Sequence, residues 1–150
     1  MSQLANDPVF QSYVASVVLL SLNLLGLGSA TAVSRSQATE VVNPEDKRLN
    51  PKASVVFDEG NDRTQRYRRA HRNALENTPM FMITGLLMAM LGPSLALAAT
   101  LYGTYAVARI LHSVCYVKGI QPFRTMFFAI GVTAQLTVLG YIVYAVFIAS

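Results

Sequence analysis

The stretch "RTQRYRRAHRNALENTPMFMITGLLMAML", residues 63–91, runs five arginines straight into an apolar segment. Its uncharged part, Asn77–Leu91, is too short for a bilayer, which takes about 20 apolar residues of helix. A helix of spanning length must therefore continue backwards through Asn73, Arg72 and Arg69, and the charged stretch must dip towards the bilayer.

On either side lie apolar runs of full spanning length, at Phe10–Val33, Pro93–Val117 and Thr125–Ser150, the first and last free of charge. The 150 residues are 53% hydrophobic and only 13% charged, with mean hydropathy +0.39, a composition that excludes an ordinary soluble domain. Met1–Pro8 lacks a basic n-region, and no soluble domain follows the small residues at Ser29–Ala32. Phe10–Val33 therefore reads as a retained helix rather than a cleaved signal.

"LGPS" at Leu91–Ser94 and "KGIQPF" at Lys118–Phe123 read as tight turns. The expected fold is an all-α integral membrane protein, an up-and-down bundle of four transmembrane helices in a single domain, 1–150. The helices fall at about 10–33, 66–91, 93–117 and 124–149, with one long polar connection at 34–65. In that connection "NPED" at Asn43–Asp46 reads as a helix start, with Asn43 as N-cap, Pro44 in the first helical position, and Glu45 and Asp46 facing the positive end of the dipole.

Nine of the twelve Lys and Arg fall between Arg35 and Arg72, and Lys118 and Arg124 lie in the third connection. The positive-inside rule then puts both termini outside and the first and third connections in the cytoplasm. The net charge of +4 does not indicate a nucleic-acid partner, because the basic residues are interleaved with Asp58, Glu59 and Asp62 and the apolar spans dominate. Cys115 is the only cysteine, so there is no intrachain disulfide. No metal-ligand spacing, Gly-rich phosphate loop or nucleophile–His–Asp arrangement is present.

Two polar stripes stand out. Arg69, Arg72, Asn73 and Glu76 recur at i, i+3, i+4 and i+7, one face of a helix, and Tyr105, Arg109, His112 and Tyr116 recur at i, i+4, i+7 and i+11, again one face, in the third apolar segment. Ionisable groups at membrane depth cost about 2.5–3.5 kcal/mol each and persist where they pair or line a polar cavity. Without a ligand, Glu76 would pair with Arg109, His112 would bond a backbone carbonyl, and the arginines at 66–69 would reach lipid phosphates. One glutamate cannot neutralise Arg69, Arg72 and Arg109 together, which points to an anionic ligand with more than one carboxylate. Pro79 frees the carbonyl of Leu75 and is expected to bend the helix just past Glu76.

"RYRRAHRNALEN" at Arg66–Asn77, "NPED" at Asn43–Asp46 and "ARILHSVCYVKGIQPFR" at Ala108–Arg124 resemble the MAPEG family, membrane-associated proteins of eicosanoid and glutathione metabolism. The long first connection is most similar to the microsomal glutathione transferase branch, with microsomal prostaglandin E synthase next. The resemblance implies a homotrimer that holds glutathione between subunits near the cytoplasmic face, in a bacterial inner membrane or the endoplasmic reticulum. Carried over by position, it makes Arg35, Arg69, Arg72, Asn73, Glu76, His112 and Tyr116 glutathione contacts, with Arg124 and Thr125 beside the sulfur. Phe128 stands where the prostaglandin synthase branch has a tyrosine.

On this reading the protein conjugates glutathione to lipophilic electrophiles drawn from the lipid bilayer, a detoxification reaction, with reduction of lipid hydroperoxides as a second, peroxidase activity. Arg124 is the expected catalytic cation, assisted by Thr125. Asp46 has two readings, proton acceptor or helix-cap residue. The alternatives are a prostaglandin E synthase-like isomerase, and a transporter or binding protein for organic anions that uses the same arginines without chemistry.

Overall fold

The computed structural model describes residues 2–57 and 60–149; Asp58, Glu59 and Ser150, which the sequence reading used, lie outside it. A short helix α1 (Ser2–Ala5) precedes four long ones: α2 (Pro8–Gln37), α3 (Asp62–Met90), α4 (Leu95–Lys118) and α5 (Phe123–Phe147).

Local chemistry sets their ends. Asp7 caps α2, its carboxylate accepting from Val9 N at 2.8 Å, and Pro8 fills the first turn, where no N–H is needed. Asn61 caps α3, its side-chain oxygen accepting from Thr64 N at 3.0 Å. Ser94 caps α4, and that helix stops on Gly119, whose φ of +68° suits a residue without a side chain. A Cβ at Gly119 would also collide with the guanidinium of Arg66, so α3 and α4 approach closely there.

The long connection is more ordered than its polar sequence indicates. Two-residue strands, β1 (Glu40–Val41) and β2 (Ser54–Val55), pair in parallel, with the helical turn Pro44–Arg48 between them. That turn begins after Asn43, as "NPED" predicts, but it is a 3₁₀ helix, and the Asn43 side chain reaches Asp46 Oδ2 at 3.4 Å instead of a backbone N–H. The Glu40 carboxylate accepts from Asn61 N at 3.1 Å and from Asn61 Nδ2 at 3.1 Å, and Ser34 Oγ lies 3.0 Å from Thr64 Oγ1. The connection is thereby clasped to the first turn of α3, which fixes where the arginine stripe begins.

The core is aromatic. Phe81 and Tyr105 stack with centroids 3.9 Å apart and planes 4° from parallel, and Tyr102 meets Phe81 and Tyr13 edge-on, each at 5.9 Å. Three buried tyrosines donate to carbonyls of α3: Tyr13 to Met82 at 2.8 Å, Tyr102 to Gly85 at 2.9 Å and Tyr105 to Asn77 at 3.0 Å. These bonds satisfy phenol groups that would otherwise be costly in an apolar interior. Gly85 makes room, because a Cβ there would stand 3.2 Å from the Tyr13 ring. The register of α3 against α2 and α4 is set by this lattice.

By length and composition α2 and α5 can each cross a membrane, and they are not core helices of a soluble protein: only 17% and 22% of their most apolar windows are buried. Val18, Leu22 and Leu25 of α2 and Leu136 and Val143 of α5 are exposed, more large apolar side chains in the open than an ordinary soluble monomer carries.

Candidate functional site

The two stripes meet, with partners different from those expected. Arg109 is 2% exposed and donates from Nη2 to Asn73 Oδ1 at 2.9 Å and to Asn73 O at 3.3 Å. Glu76 does not reach it. Its carboxylate accepts from Arg72 Nε at 3.1 Å on the same helix, with both side chains largely in the open. The i, i+4 geometry of one helix provides that partner directly, whereas Arg109 arrives from a neighbouring helix at the height of Asn73. Among the described residues Arg109 therefore has no carboxylate, and its Nε has no hydrogen-bond partner.

His112, one turn further along α4, bonds through Nδ1 to the backbone oxygen of Arg124 at 2.8 Å, as the reading without a ligand had it. This ties the start of α5 to α4. Its Nε2 is buried without a partner. The Arg124 guanidinium lies over the Tyr116 ring at 4.7 Å, and the His112 ring meets those of Tyr116 at 5.7 Å and Phe128 at 5.6 Å. With the Gln121 amide turned so that its oxygen faces the guanidinium, Arg124 Nε donates to it at 3.1 Å. Thr125 Oγ1 lies 3.1 Å from the same amide. Arg124, Thr125, His112 and Tyr116 thus form one corner, and Asn73 and Arg109 stand beside it across Phe128, whose ring faces the Arg109 guanidinium at 5.5 Å.

Arg69, Arg72 and Glu76 are exposed in the protomer, on a face of α3 that continues into exposed Leu75, Met80 and Ile83. Arg35 lies apart from the corner, lining a cavity of about 190 Å³ with Thr31, Glu40, Phe57, Thr64 and Arg68 where the clasped connection meets α2 and α3. Asp46 stands half-buried on the 3₁₀ turn, with Asn43 as its side-chain partner. Ten candidate residues thus fall into three places: the Arg124 corner, the open α3 face and the connection.

Sequence reasoning passed over two polar links between helices. Gln135 of α5 donates to Thr84 Oγ1 of α3 at 2.9 Å, and Asn23 of α2 donates to Ser113 Oγ at 3.1 Å. Each is a lone amide in an apolar run, so no spacing rule picks it out.

A bundle of long apolar helices with exposed apolar faces, and with arginines where α3, α4 and α5 meet, has the character of a membrane protein. Residues 13–144 match the family model of the MAPEG family, and the chain belongs to that membrane-bound family. Microsomal glutathione S-transferase 1 of Bos taurus is 34% identical over 143 residues, covering 91% of this chain and 90% of that protein. The Homo sapiens protein of the same name is 32% identical over the same coverage. Prostaglandin E synthase of Bos taurus is 24% identical over 125 residues, covering 83% of this chain and 80% of that one.

Proposed function

We propose that this chain is a membrane-bound glutathione transferase that conjugates glutathione to lipophilic electrophiles and also reduces lipid hydroperoxides. The observation that carries the reading is the surplus of cations along the joined stripes: Arg69, Arg72, Arg109 and Arg124 against Glu76 alone, which is itself bonded to Arg72. A tripeptide with two carboxylates complements that surplus, and the planar guanidinium is the side chain that meets a carboxylate with two parallel bonds. Resemblance supplies the remaining contacts, Arg35, Asn73, His112 and Tyr116.

The exposed α3 face and the separation of Arg35 from Arg124 support a site completed by a neighbouring subunit, in a homotrimer of four-span protomers with the connections 34–65 and 118–123 in the cytoplasm. A monomer in mild detergent that retains full activity would overturn the trimer.

A thiol of ordinary cysteine-like pKa, roughly 8.5, is only a few per cent ionised at neutral pH. Arg124 is held by Tyr116 and by the His112 bond to its own carbonyl, and its charge favours the thiolate, each pKa unit requiring about 1.4 kcal/mol. Thr125 at the first turn of α5 adds a hydroxyl beside the helix N-terminus. With an aryl halide, the thiolate forms a sulfur–carbon bond, halide leaves with the electron pair of the broken bond, and the thiol proton goes to solvent. With a hydroperoxide, two thiols become a disulfide while the hydroperoxide becomes an alcohol and water.

Purified protein mixed with glutathione should show thiolate absorbance and then conjugate an aryl halide. Binding without turnover over a panel of halides and hydroperoxides would favour an organic-anion carrier. The absence of both binding and turnover would sink the reading.

A further inference from the structure

Gln121 stands exposed in the turn between α4 and α5, just before Arg124, and takes no part in the chemistry described above. The turn is held by backbone bonds that do not involve this side chain: Ile120 N to Cys115 O at 2.9 Å, Arg124 N to Ile120 O at 3.2 Å and Met126 N to Pro122 O at 3.1 Å. The Gln121 amide is therefore not needed for the turn, yet it touches both residues placed beside the sulfur, Arg124 and Thr125.

Which way the amide faces follows from what it meets. A guanidinium only donates, so the amide atom turned towards it is the oxygen. Arg124 Nε then donates to Gln121 Oε1 at 3.1 Å, with Nη2 against the same oxygen, and Gln121 Nε2 donates to Thr125 Oγ1 at 3.1 Å. Because Thr125 Oγ1 accepts from the amide, its own proton is left to donate elsewhere. With the amide the other way round, the hydroxyl would spend that proton on Gln121 Oε1. On the other side, side-on use of Nε fixes the plane of the guanidinium, already set over the Tyr116 ring at 4.7 Å, and leaves the remaining Nη hydrogens to donate. The amide achieves this without cancelling the charge, and among the described residues no carboxylate is paired with Arg124.

We propose that Gln121 is a positioning residue for thiol activation: its amide aims the Arg124 guanidinium and the Thr125 hydroxyl proton together at the glutathione sulfur. The inference rests on the transferase reading and deepens it, since Gln121 acts through Arg124 and Thr125. The residue type is part of the argument. Glutamate has the same shape, but its carboxylate would accept from both neighbours, pairing off the charge of Arg124 and taking the proton of Thr125. An amide accepts on one side and donates on the other.

Two readouts on the full chain in phosphatidylcholine nanodiscs separate this role from the reading it rests on. Without glutathione, in protein carrying isotope-labelled arginine, the Arg124 Nε–H resonance is assigned by its loss in Arg124→Lys. It should exchange with water roughly tenfold faster in Gln121→Met than in the parent. With glutathione and an aryl halide, Gln121→Met should lower kcat about fivefold and leave KM for glutathione near the parent value. Gln121→Glu should lower kcat at neutral pH further, roughly tenfold, because the added carboxylate raises the pKa of the bound thiol by about one unit. Its rate should recover at high pH, and that of Gln121→Met should not. A merely structural role predicts the reverse order, since glutamate keeps the shape. Thr125→Val should cost less in the Gln121→Glu background than in the parent, because the hydroxyl proton is already spent there. Each Gln121 variant should elute and melt like the parent, since no core group changes.

Equal exchange of the Arg124 Nε–H in parent and Gln121→Met would overturn the proposal. So would a Gln121→Glu protein with the parent's rate and thiol pKa, or a Gln121→Met loss confined to KM. A parent with a slowly exchanging Nε–H that neither binds nor turns over glutathione would overturn the transferase reading, and with it any part for Gln121 in chemistry.

Discussion

The stripe on α3 and the stripe on α4 share a periodicity and differ in almost everything else. On α3, Arg69, Arg72 and Glu76 stand in the open, with Arg72 and Glu76 bonded along the helix; on α4, Tyr105, Arg109 and His112 are buried and partner other helices. Buried polar groups that bond across helices fix the bundle's register, because a slip would leave each one unsatisfied. Exposed ones fix nothing inside the protomer and remain free to meet a ligand or another subunit. Changes to the α4 stripe should therefore register as lost stability, changes to the α3 stripe as lost affinity, and the Arg124 corner, tied to α4 but with its guanidinium half-exposed, as lost chemistry.

The largest effect should come at the corner. Arg124→Ala removes the cation but keeps the backbone oxygen that receives His112, so the fold should survive. The chemical step should slow roughly 30- to 1000-fold, about 2–4 kcal/mol, with Arg124→Lys milder because the charge remains while the planar fork is lost. The sign with pH follows from the charge: removing a nearby cation raises the pKa of the bound thiol. The thiolate fraction at neutral pH then falls, and the rate recovers only at higher pH. Single-turnover rates and a titration of thiolate absorbance measure both. A wild-type rate and thiolate pKa in Arg124→Ala would move the activating cation elsewhere, with Arg35 next to be tested.

A smaller but still large effect is expected where the stripes touch. Asn73→Leu takes from Arg109 its side-chain acceptor at 2.9 Å and leaves the buried guanidinium only the longer bond to the backbone oxygen of residue 73 at 3.3 Å. Losing a hydrogen bond to a buried charge costs about 1.5–3 kcal/mol, and the loss should show as a lower melting temperature in detergent before any ligand is added. If Asn73→Leu melts like the parent, Arg109 has found another partner and the contrast between the stripes weakens.

Sequence reading reached the long helices because apolar runs of spanning length have few other uses, and reached the stripes because helical spacing assigns residues to a face without any tertiary knowledge. It failed where the rotation of one helix against another decides. Spacing places Glu76 and Arg109 on polar faces but cannot say that Arg109 comes level with Asn73, leaving Glu76 to Arg72. The β1–β2 pairing was invisible for another reason: two residues per strand are too few to show a period of two. Glu40 read only as one more charge in a polar loop, although its carboxylate closes that loop onto the first turn of α3.

The smallest effect tests the contrast most sharply, because it concerns an interaction that the fold does not need. Arg72 and Glu76 are bonded at 3.1 Å with 81% and 57% of their side chains exposed. An exposed i, i+4 pair contributes about 0.3–0.5 kcal/mol, so a double-mutant cycle of Arg72→Ala and Glu76→Ala on thermal stability should return a coupling of that size and no more. The same variants should weaken glutathione in calorimetry by about 2 kcal/mol each, the scale of a hydrogen bond to a charged group. Near-neutral stability together with weakened binding is what an open ligand face requires. A stability coupling well above 1 kcal/mol in the monomer would mean that the α3 stripe is structural like its neighbour. Unchanged glutathione affinity in both variants would remove the α3 stripe from the site.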